Sequence, residues 1–569
     1  MCPTEATGVM TPPCTHNSKF THRMILKTIL EHSDGGMGLI GQKAVIGGWV
    51  TFSREWRKPI SSPDELDPHV PIFSVLQVND GSSPKRLQVL VDSRLESPGK
   101  VMPTGTCILV EGILQKASLQ GGRQVQEIEL VATEVLHLGI VEKNDNPLAK
   151  RCMPLQLLRD YPHLRTRTEP MGSVRRLHDS AFRALTAFFQ DNGFLHVQLP
   201  VIHSSHNGFT YGKFQVIVAE NKDTNNKRDD EEKEDIGVSN CKCNEENNDS
   251  NNNKDMKEGD DEHNSSQAED KGKELVGDSD NNAQDDIINH VVTKDFFPDE
   301  PVYLTAHARL HLESQACALG NVYTYGPRFE AHKWTALMTS VEMWMVEAQM
   351  AFTRMEDVMD CAYDLLKFIC KWVVDKSIED VKHLSKPTGT TFVGWLQSIT
   401  TRPFKKLSYD KAILVLNTIH TENKYPYPTL KWGHPILDGY AKFLVSTVYK
   451  RPVIIYDHPK QVKPFYVRLN DDAKTVASFD IYFEGGNVVN GYQSEERLDV
   501  LIARIEELGV SKKEYEWYLD LCRHGNTSNN SGFTLMLDAL VLSLCGFNDV
   551  RDVVPFPQCP KANLLEINY

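Results

Sequence analysis

Short apolar runs broken by turn residues dominate the first part of the chain. They are Val45–Val50, Phe73–Val78, Leu87–Val91, Cys107–Gly112 and Glu127–Val131, with Asn79-Asp80-Gly81 and Gln120-Gly121-Gly122 among the turns between them. Strand-length runs at this spacing, with no core helix, predict a small β-barrel over 41–140, with an OB-fold as the natural candidate and another small β-domain as the alternative. Residues 1–40 carry weak periodicity and read as an N-terminal extension. The stretch 141–170, with Pro147, Pro154 and Pro162, reads as a linker. The period then changes: Leu177, Ala181, Leu185, Phe188 and Phe189 fall on one face of a helix from about Val174 to Asn192, stopped by Gly193. A short strand-like run, His196–Leu199, leads into Pro200.

The second half mixes both periods. Val322–Tyr325 and Met343–Val346 are extended runs joined by a polar connection that starts at Gly326-Pro327, so Gly320–Phe352 predicts a long antiparallel hairpin. Val358, Ala362, Leu365, Ile369 and Trp372 have helical spacing, and a variable stretch runs on to about Lys450. Strands are expected at Pro452–Tyr456, Pro464–Leu469 and Val476–Phe483, a helix over Leu498–Leu508, and a strand running into a helix over Gly532–Asn548. Strands and helices without βαβ alternation predict an α+β domain on an antiparallel sheet.

Charge looks extreme until it is located. Of the formal net charge of −15, residues 221–290 supply −13, from 22 acids against 9 bases, which leaves −2 for the rest. That tract also holds 14 asparagines and almost no apolar residues, so it cannot bury enough surface to offset its ordering entropy and is expected to be disordered, as a solvated spacer or a partner-binding segment. The near-neutral remainder leaves a nucleic-acid partner open. The 12 cysteines lack pairing or zinc-ligand spacings; Cys241 and Cys243 have no second pair, and free thiols in a reducing compartment are expected. No apolar run approaches the roughly 18 residues that span a bilayer. Met1–Phe20 has no apolar signal core, so a cytoplasmic protein is expected.

Several stretches together carry a family resemblance. Gly193–Pro200 resembles motif 1 of the class II aminoacyl-tRNA synthetases, the hairpin resembles motif 2, and Ser531–Pro557 resembles motif 3. Lys463–Arg468 and Gln493–Leu501 are similar to segments of the asparaginyl enzymes, and the interrupted second domain resembles the plant cytosolic group. The resemblance implies an OB-fold anticodon-binding domain at 41–140. It also implies a class II catalytic domain at 171–569, interrupted by 221–290. It implies an asparagine–tRNA ligase: asparagine's carboxylate attacks the α-phosphate of ATP, and the terminal ribose of tRNA-Asn then attacks the adenylate. ATP and Mg²⁺ are the expected cofactors, asparagine and tRNA-Asn the partners, and a homodimer through motif 1 the expected assembly. Catalysis of this kind rests on positioning and on neutralising phosphate charge.

The charged slots of the family pattern are altered here. The motif 2 arginine slot holds Glu330, after Phe329, and the next arginine slot holds Met338. Motif 3 has Asp538 followed by Ala539 where an arginine is expected, and Gln558 closes the Pro-Phe-Pro run. Asn487 stands for a metal-binding glutamate, Tyr492 for a serine, His307-Ala308-Arg309 for the Ser-Gly-Gln of the amino-acid pocket, and Gly208 for an ammonium-binding glutamate. A carboxylate about 4 Å from a phosphate costs roughly 4 kcal/mol at an effective dielectric of 20. Each lost arginine removes a donor worth on the order of 10²-fold in rate. Aminoacylation is therefore expected to be weak or absent, and a non-catalytic paralogue that keeps the fold with tRNA or partner binding is the alternative. The pocket candidates are Arg309, Arg328, Phe329, Glu342, Glu347, Gln493, Arg523 and Asp538, with Asp538 the candidate metal ligand. Arg328, two positions before Glu330 and on the same strand face, is a candidate substitute cation. In the barrel, Gln88 matches the family's base-reading glutamine. Val75 takes the place of its stacking aromatic, and Phe73 lies two residues earlier on the same strand face.

Overall fold

The computed structural model describes residues 22–57, 72–117, 127–141, 146–149, 153–203, 214–217, 301–330, 340–385, 391–421, 428–525 and 529–557. The acidic tract 221–290, Gly208, Met338 and Gln558 lie outside these residues. The chain divides into a unit of Met1–Gln215 with Val302–Tyr569, and a unit of Val216–Pro301 in which only Val216, Ile217 and Pro301 are described.

Strands β1 (Lys43–Arg57), β2 (Ile72–Asn79), β3 (Leu87–Asp92), β4 (Cys107–Lys116) and β5 (Ile128–Gly139) close a barrel in the order β1-β2-β3-β5-β4. Alternation sends Ile46, Leu76, Val89, Val110 and Leu130 inward, where each is fully buried. The barrel core also takes Leu26 and Ile29 from helix α1 (Leu26–Leu30). Part of the expected extension thus belongs to the barrel; one helical turn is too short to show a period in sequence.

The second architecture is an eight-stranded sheet in the order β11-β12-β13-β14-β15-β10-β9-β6. Its strands are β6 (Leu195–His196), β9 (Asn321–Phe329), β10 (Glu342–Ala351), β11 (Lys405–Ser408), β12 (Val453–Pro459), β13 (Thr475–Phe483), β14 (Gly486–Gln493) and β15 (Asn530–Met536), while β7 (Ile202–His203) and β8 (Tyr303–Leu304) form a separate pair. Only the two edge pairings, β6 with β9 and β11 with β12, are parallel. The predicted hairpin is present as β9 and β10, paired from Asn321–Met350 to Phe329–Glu342.

Helix α2 (Glu169–Asp191) starts with Glu169 and Pro170 in its first turn and ends before Gly193 at φ 74°. Its face of Leu177, Ala181, Leu185 and Phe189 joins α4 (Met355–Lys376) in the main core. Onto the same face of the sheet point Val346 and Ala348 of β10 and Phe533 and Leu535 of β15. The intervening residues, Glu347, Gln349, Gly532 and Thr534, face the other way. Register fixes this second face across four strands: Glu347 on β10 opposes Thr324 on β9 and Thr534 on β15, and Thr534 opposes Asn490 on β14. Helix α3 (Arg309–Leu319) packs on it.

Two segments differ from expectation. Pro464–Leu469 is not a strand and makes only isolated bridges, Val467 to Ser494 and Leu469 to Val476. Phe465, Tyr466 and Val467 instead pack with α5 (Leu498–Glu507) and α6 (Glu516–Arg523) in a smaller core. Strand β14 was unexpected because five of its eight residues are Gly, Asn or Gln. Gly491 is required there, since a Cβ would run into the Phe479 ring.

Candidate active site

The polar face of the sheet gathers most of the candidate residues. Glu347, 1% exposed, lies at its centre. Its carboxylate accepts hydrogen bonds from the Ala308 amide at 3.0 Å and from Arg328 Nε at 2.9 Å, and the Arg328 Nη2 lies 2.8 Å away as an ion-pair contact. Burial pushes the Glu347 pKa up, but Arg328, with His307 and Arg309, outweighs it and holds the carboxyl below its usual range. Arg328 therefore faces the cleft, as strand alternation required, yet its charge is neutralised by Glu347 further along the adjacent strand. It is no free substitute for the missing motif 2 cation.

Glu330 is also buried, and His307 Nε2 lies 3.1 Å from its carboxylate. The slot expected to attract phosphate thus presents a carboxylate backed by an imidazole. Arg309, the first residue of α3, lies half-buried on the same face. Its Nε donates to Thr534 Oγ1 at 2.8 Å, its Nη1 reaches the Tyr466 hydroxyl at 3.3 Å, and its carbon sits 5.7 Å from the Tyr492 ring centre. Tyr492, where the family pattern has serine, fills space beside it and accepts from Gln349 Nε2 at 2.8 Å.

Other candidates lie apart. Gln493 alternates to the core face, donating to Asn529 at 3.0 Å and accepting the Met355 amide at 3.3 Å, so it supports α4 and does not line the cleft. Arg523 is exposed on α6, paired with Asp520 at 2.7 Å and Glu516 at 2.9 Å on its own helix. Phe329 and Glu342 oppose each other across the hairpin on the face of Trp344 and Tyr325, where Tyr325 packs against Phe182 of α2.

Asp538 lies in the first turn of helix α7 (Leu537–Cys545), and its Oδ2 accepts the Trp344 amide at 3.0 Å. Burial pushes its pKa up to about 6, against that hydrogen bond and the nearby Arg175. Mg²⁺ needs several ionised oxygen ligands in octahedral geometry. Asp538 is committed to an amide, Asn487 is neutral and bonded to Asn490 at 2.7 Å, and no cluster of three or more His, Cys, Asp or Glu side chains able to hold a metal occurs among the described residues. The described residues do not fit a protein-held Mg²⁺.

Reading by motif missed Tyr466 and Thr534 as partners of Arg309. Thr534 was legible by alternation from Gly532. Tyr466 was hidden because its segment looked like a strand.

An antiparallel sheet backed by helices, with its polar face under α3 and a closed five-stranded barrel N-terminal to it, defines the class II synthetase architecture. Residues 275–560 match the family model described as tRNA synthetases class II (D, K and N). The chain belongs to this family, in its asparaginyl branch. It is 35% identical to the cytoplasmic asparagine–tRNA ligase 1 of Arabidopsis thaliana over 96% of both chains. It is 33% identical to the asparagine–tRNA ligase of a Synechocystis species, over 86% of this chain and 92% of that one. The fold is similar to that of the asparaginyl-tRNA synthetase of Pyrococcus horikoshii solved with asparaginyl-adenylate, at a TM-score of 0.66 and 19% identity, covering 95% of this chain and 98% of that one. Among the described residues no helix is long and apolar enough to cross a membrane.

Proposed function

We propose that the chain is an asparagine–tRNA ligase of cytosolic translation whose turnover is strongly reduced. The observation that carries this reading is similarity to asparagine–tRNA ligases along nearly the whole chain, together with a cleft whose hairpin, α3 and β15 are all in place. In this reaction ATP enters beside the hairpin, the amino acid lies against α3, and tRNA-Asn is held by the barrel at Phe73 and Gln88. Dimerisation follows the region of Gly193–Pro200, and 41–140 and 171–569 act as the anticodon-binding and catalytic domains. The reduction follows from charge. Glu330 repels the phosphates that a cation there would hold, Ala539 offers no donor, and Arg328 is neutralised by Glu347. ATP binding then rests on shape and backbone donors.

The Glu330–His307 pairing favours a second reading, a non-catalytic synthetase that keeps tRNA or partner binding. Asparagine-dependent pyrophosphate exchange with full-length protein separates the two. Slow but measurable exchange, on the order of 10²-fold or more below ordinary synthetases, supports the first. No exchange with intact tRNA binding supports the second.

A further inference from the structure

The cations of the cleft are unevenly placed. Arg328 is neutralised, and Glu330 leaves the motif 2 slot negative. Arg309 has no carboxylate within ion-pairing distance among the described residues. Glu347, the acid whose charge acts on it, already holds Arg328 and the Ala308 amide. The groups that Arg309 does touch are neutral: the Thr534 hydroxyl, the Tyr466 hydroxyl and the Tyr492 ring. Burial pushes the pKa of both tyrosines up, so neither supplies a compensating negative charge at neutral pH. With Nε on Thr534 and Nη1 on Tyr466, Nη2 has no hydrogen-bond partner among the described residues. The position at the first turn of α3, a helix of 11 residues, adds the positive end of a helix dipole. A half-buried guanidinium with neutral neighbours and a spare donor edge is matched by a carboxylate, which can take a charge-assisted, two-point hydrogen bond.

We propose that Arg309 is the carboxylate-binding residue of this cleft, holding the α-carboxylate of a free amino acid in place of the cation that motif 2 has lost. This rests on the asparagine reading and deepens it. An amino acid entering between α3 and β15 turns its carboxylate toward Arg309 and away from Glu330. The ligand class is a zwitterionic α-amino acid with a free carboxylate, and a blocked carboxylate removes the recognised group.

The test uses full-length protein without ATP or tRNA, and measures equilibrium binding of L-asparagine and L-asparaginamide to wild type, Arg309→Met and Arg309→Lys, with melting curves for each. Methionine keeps the bulk and removes charge and donors, whereas glutamine would restore the residue of the family pattern. Wild type is expected to bind asparagine at least about tenfold tighter than asparaginamide. R309M loses asparagine affinity by on the order of tenfold to a hundredfold, together with the discrimination, the scale of one charge-assisted hydrogen bond. R309K binds more weakly than wild type but keeps the preference for the free carboxylate. The proposal is overturned if a folded R309M binds asparagine as wild type does, if wild type binds the two ligands equally, or if wild type binds neither. Should R309M not fold, the two-ligand comparison on wild type and R309K decides alone. Silent pyrophosphate exchange with normal asparagine selectivity sinks only the ligase reading, whereas tRNA charging with unaltered R309M binding sinks only this one.

Discussion

Arg328 on β9 and Glu347 on β10 meet at 2.8 Å with 2% and 1% of their side chains exposed. The arginine nearest the altered motif 2 slot is therefore a structural partner of the sheet. Removing one member of such a pair strands the other, at a cost of about 3–5 kcal/mol, whereas removing both with well-packed apolar residues is often close to neutral. Arg328→Met is expected to lose that much stability, and R328M combined with E347L to recover most of it. Urea unfolding of the two variants and wild type measures this; equal losses in single and double variants would mean the pair is not what holds these strands.

Glu330→Arg should raise activity. It removes a like charge beside the phosphates and adds a donor, so asparagine-dependent pyrophosphate exchange is expected to rise on the order of tenfold or more. Ala539→Arg is expected to add to the gain. Exchange that stays flat in a folded E330R/A539R protein would show that charge at these two positions is not the limit.

The hairpin and barrel were legible because period-two runs bounded by Gly, Pro and Asn have few other solutions. Motif spacing located Glu330, Asp538 and Arg309, but not what each touches. Arg328 and Glu347 are 19 residues apart and are not opposite in the ladder, where Arg328 faces Met343 and Glu347 faces Thr324, so only the reach of the arginine along the shared face brings them together. Gln493 was assigned to the pocket by its motif, although one step of alternation from Tyr492 turns it to the core. Strand β14 was hidden because the face that lines the cleft is polar and the Gly491 face is filled by a neighbour's ring.

His311 on α3 supplies a pH dependence. Its ring is stacked between His203 at 4.3 Å and Trp517 at 4.7 Å. Burial, with His203 adding, lowers its pKa to about 4, against the attraction of Glu347. The folded pKa lies below the unfolded value of about 6.5, so the unfolded chain binds the extra proton first. Stability is full above about pH 6.5 and falls on acidification toward pH 4, by at most about 3 kcal/mol from this residue. His311→Gln is expected to flatten that part of the profile. Urea unfolding between pH 4.5 and 7.5 checks it, and an unchanged slope in H311Q assigns the dependence elsewhere.

The barrel makes the tRNA reading testable apart from the cleft. On β2, Leu76 and Val78 enter the barrel core, while Phe73, Val75 and Gln77 alternate to the other side, where Val75 is itself buried and Gln88 is 6% exposed. Gln77 directly opposes Gln88 on β3, so Phe73 and Gln88 share the outward face. Phe73 packs against Trp56 at 5.8 Å, which fixes an aromatic surface on that face. Gln88 donates to Glu129 at 2.6 Å and accepts from Gln77 at 3.2 Å, so its amide is oriented before any base arrives. A stacked base is worth about 1–3 kcal/mol by alanine substitution. Phe73→Ala is expected to weaken tRNA-Asn binding by roughly 5- to 150-fold. Gln88→Ala should weaken it less and relax discrimination among anticodon variants, since one edge contact is lost while the stack remains. Binding at one fixed salt concentration, with wild-type and anticodon-substituted tRNA, measures both effects. Unchanged affinity in F73A and unchanged discrimination in Q88A would place tRNA contact elsewhere.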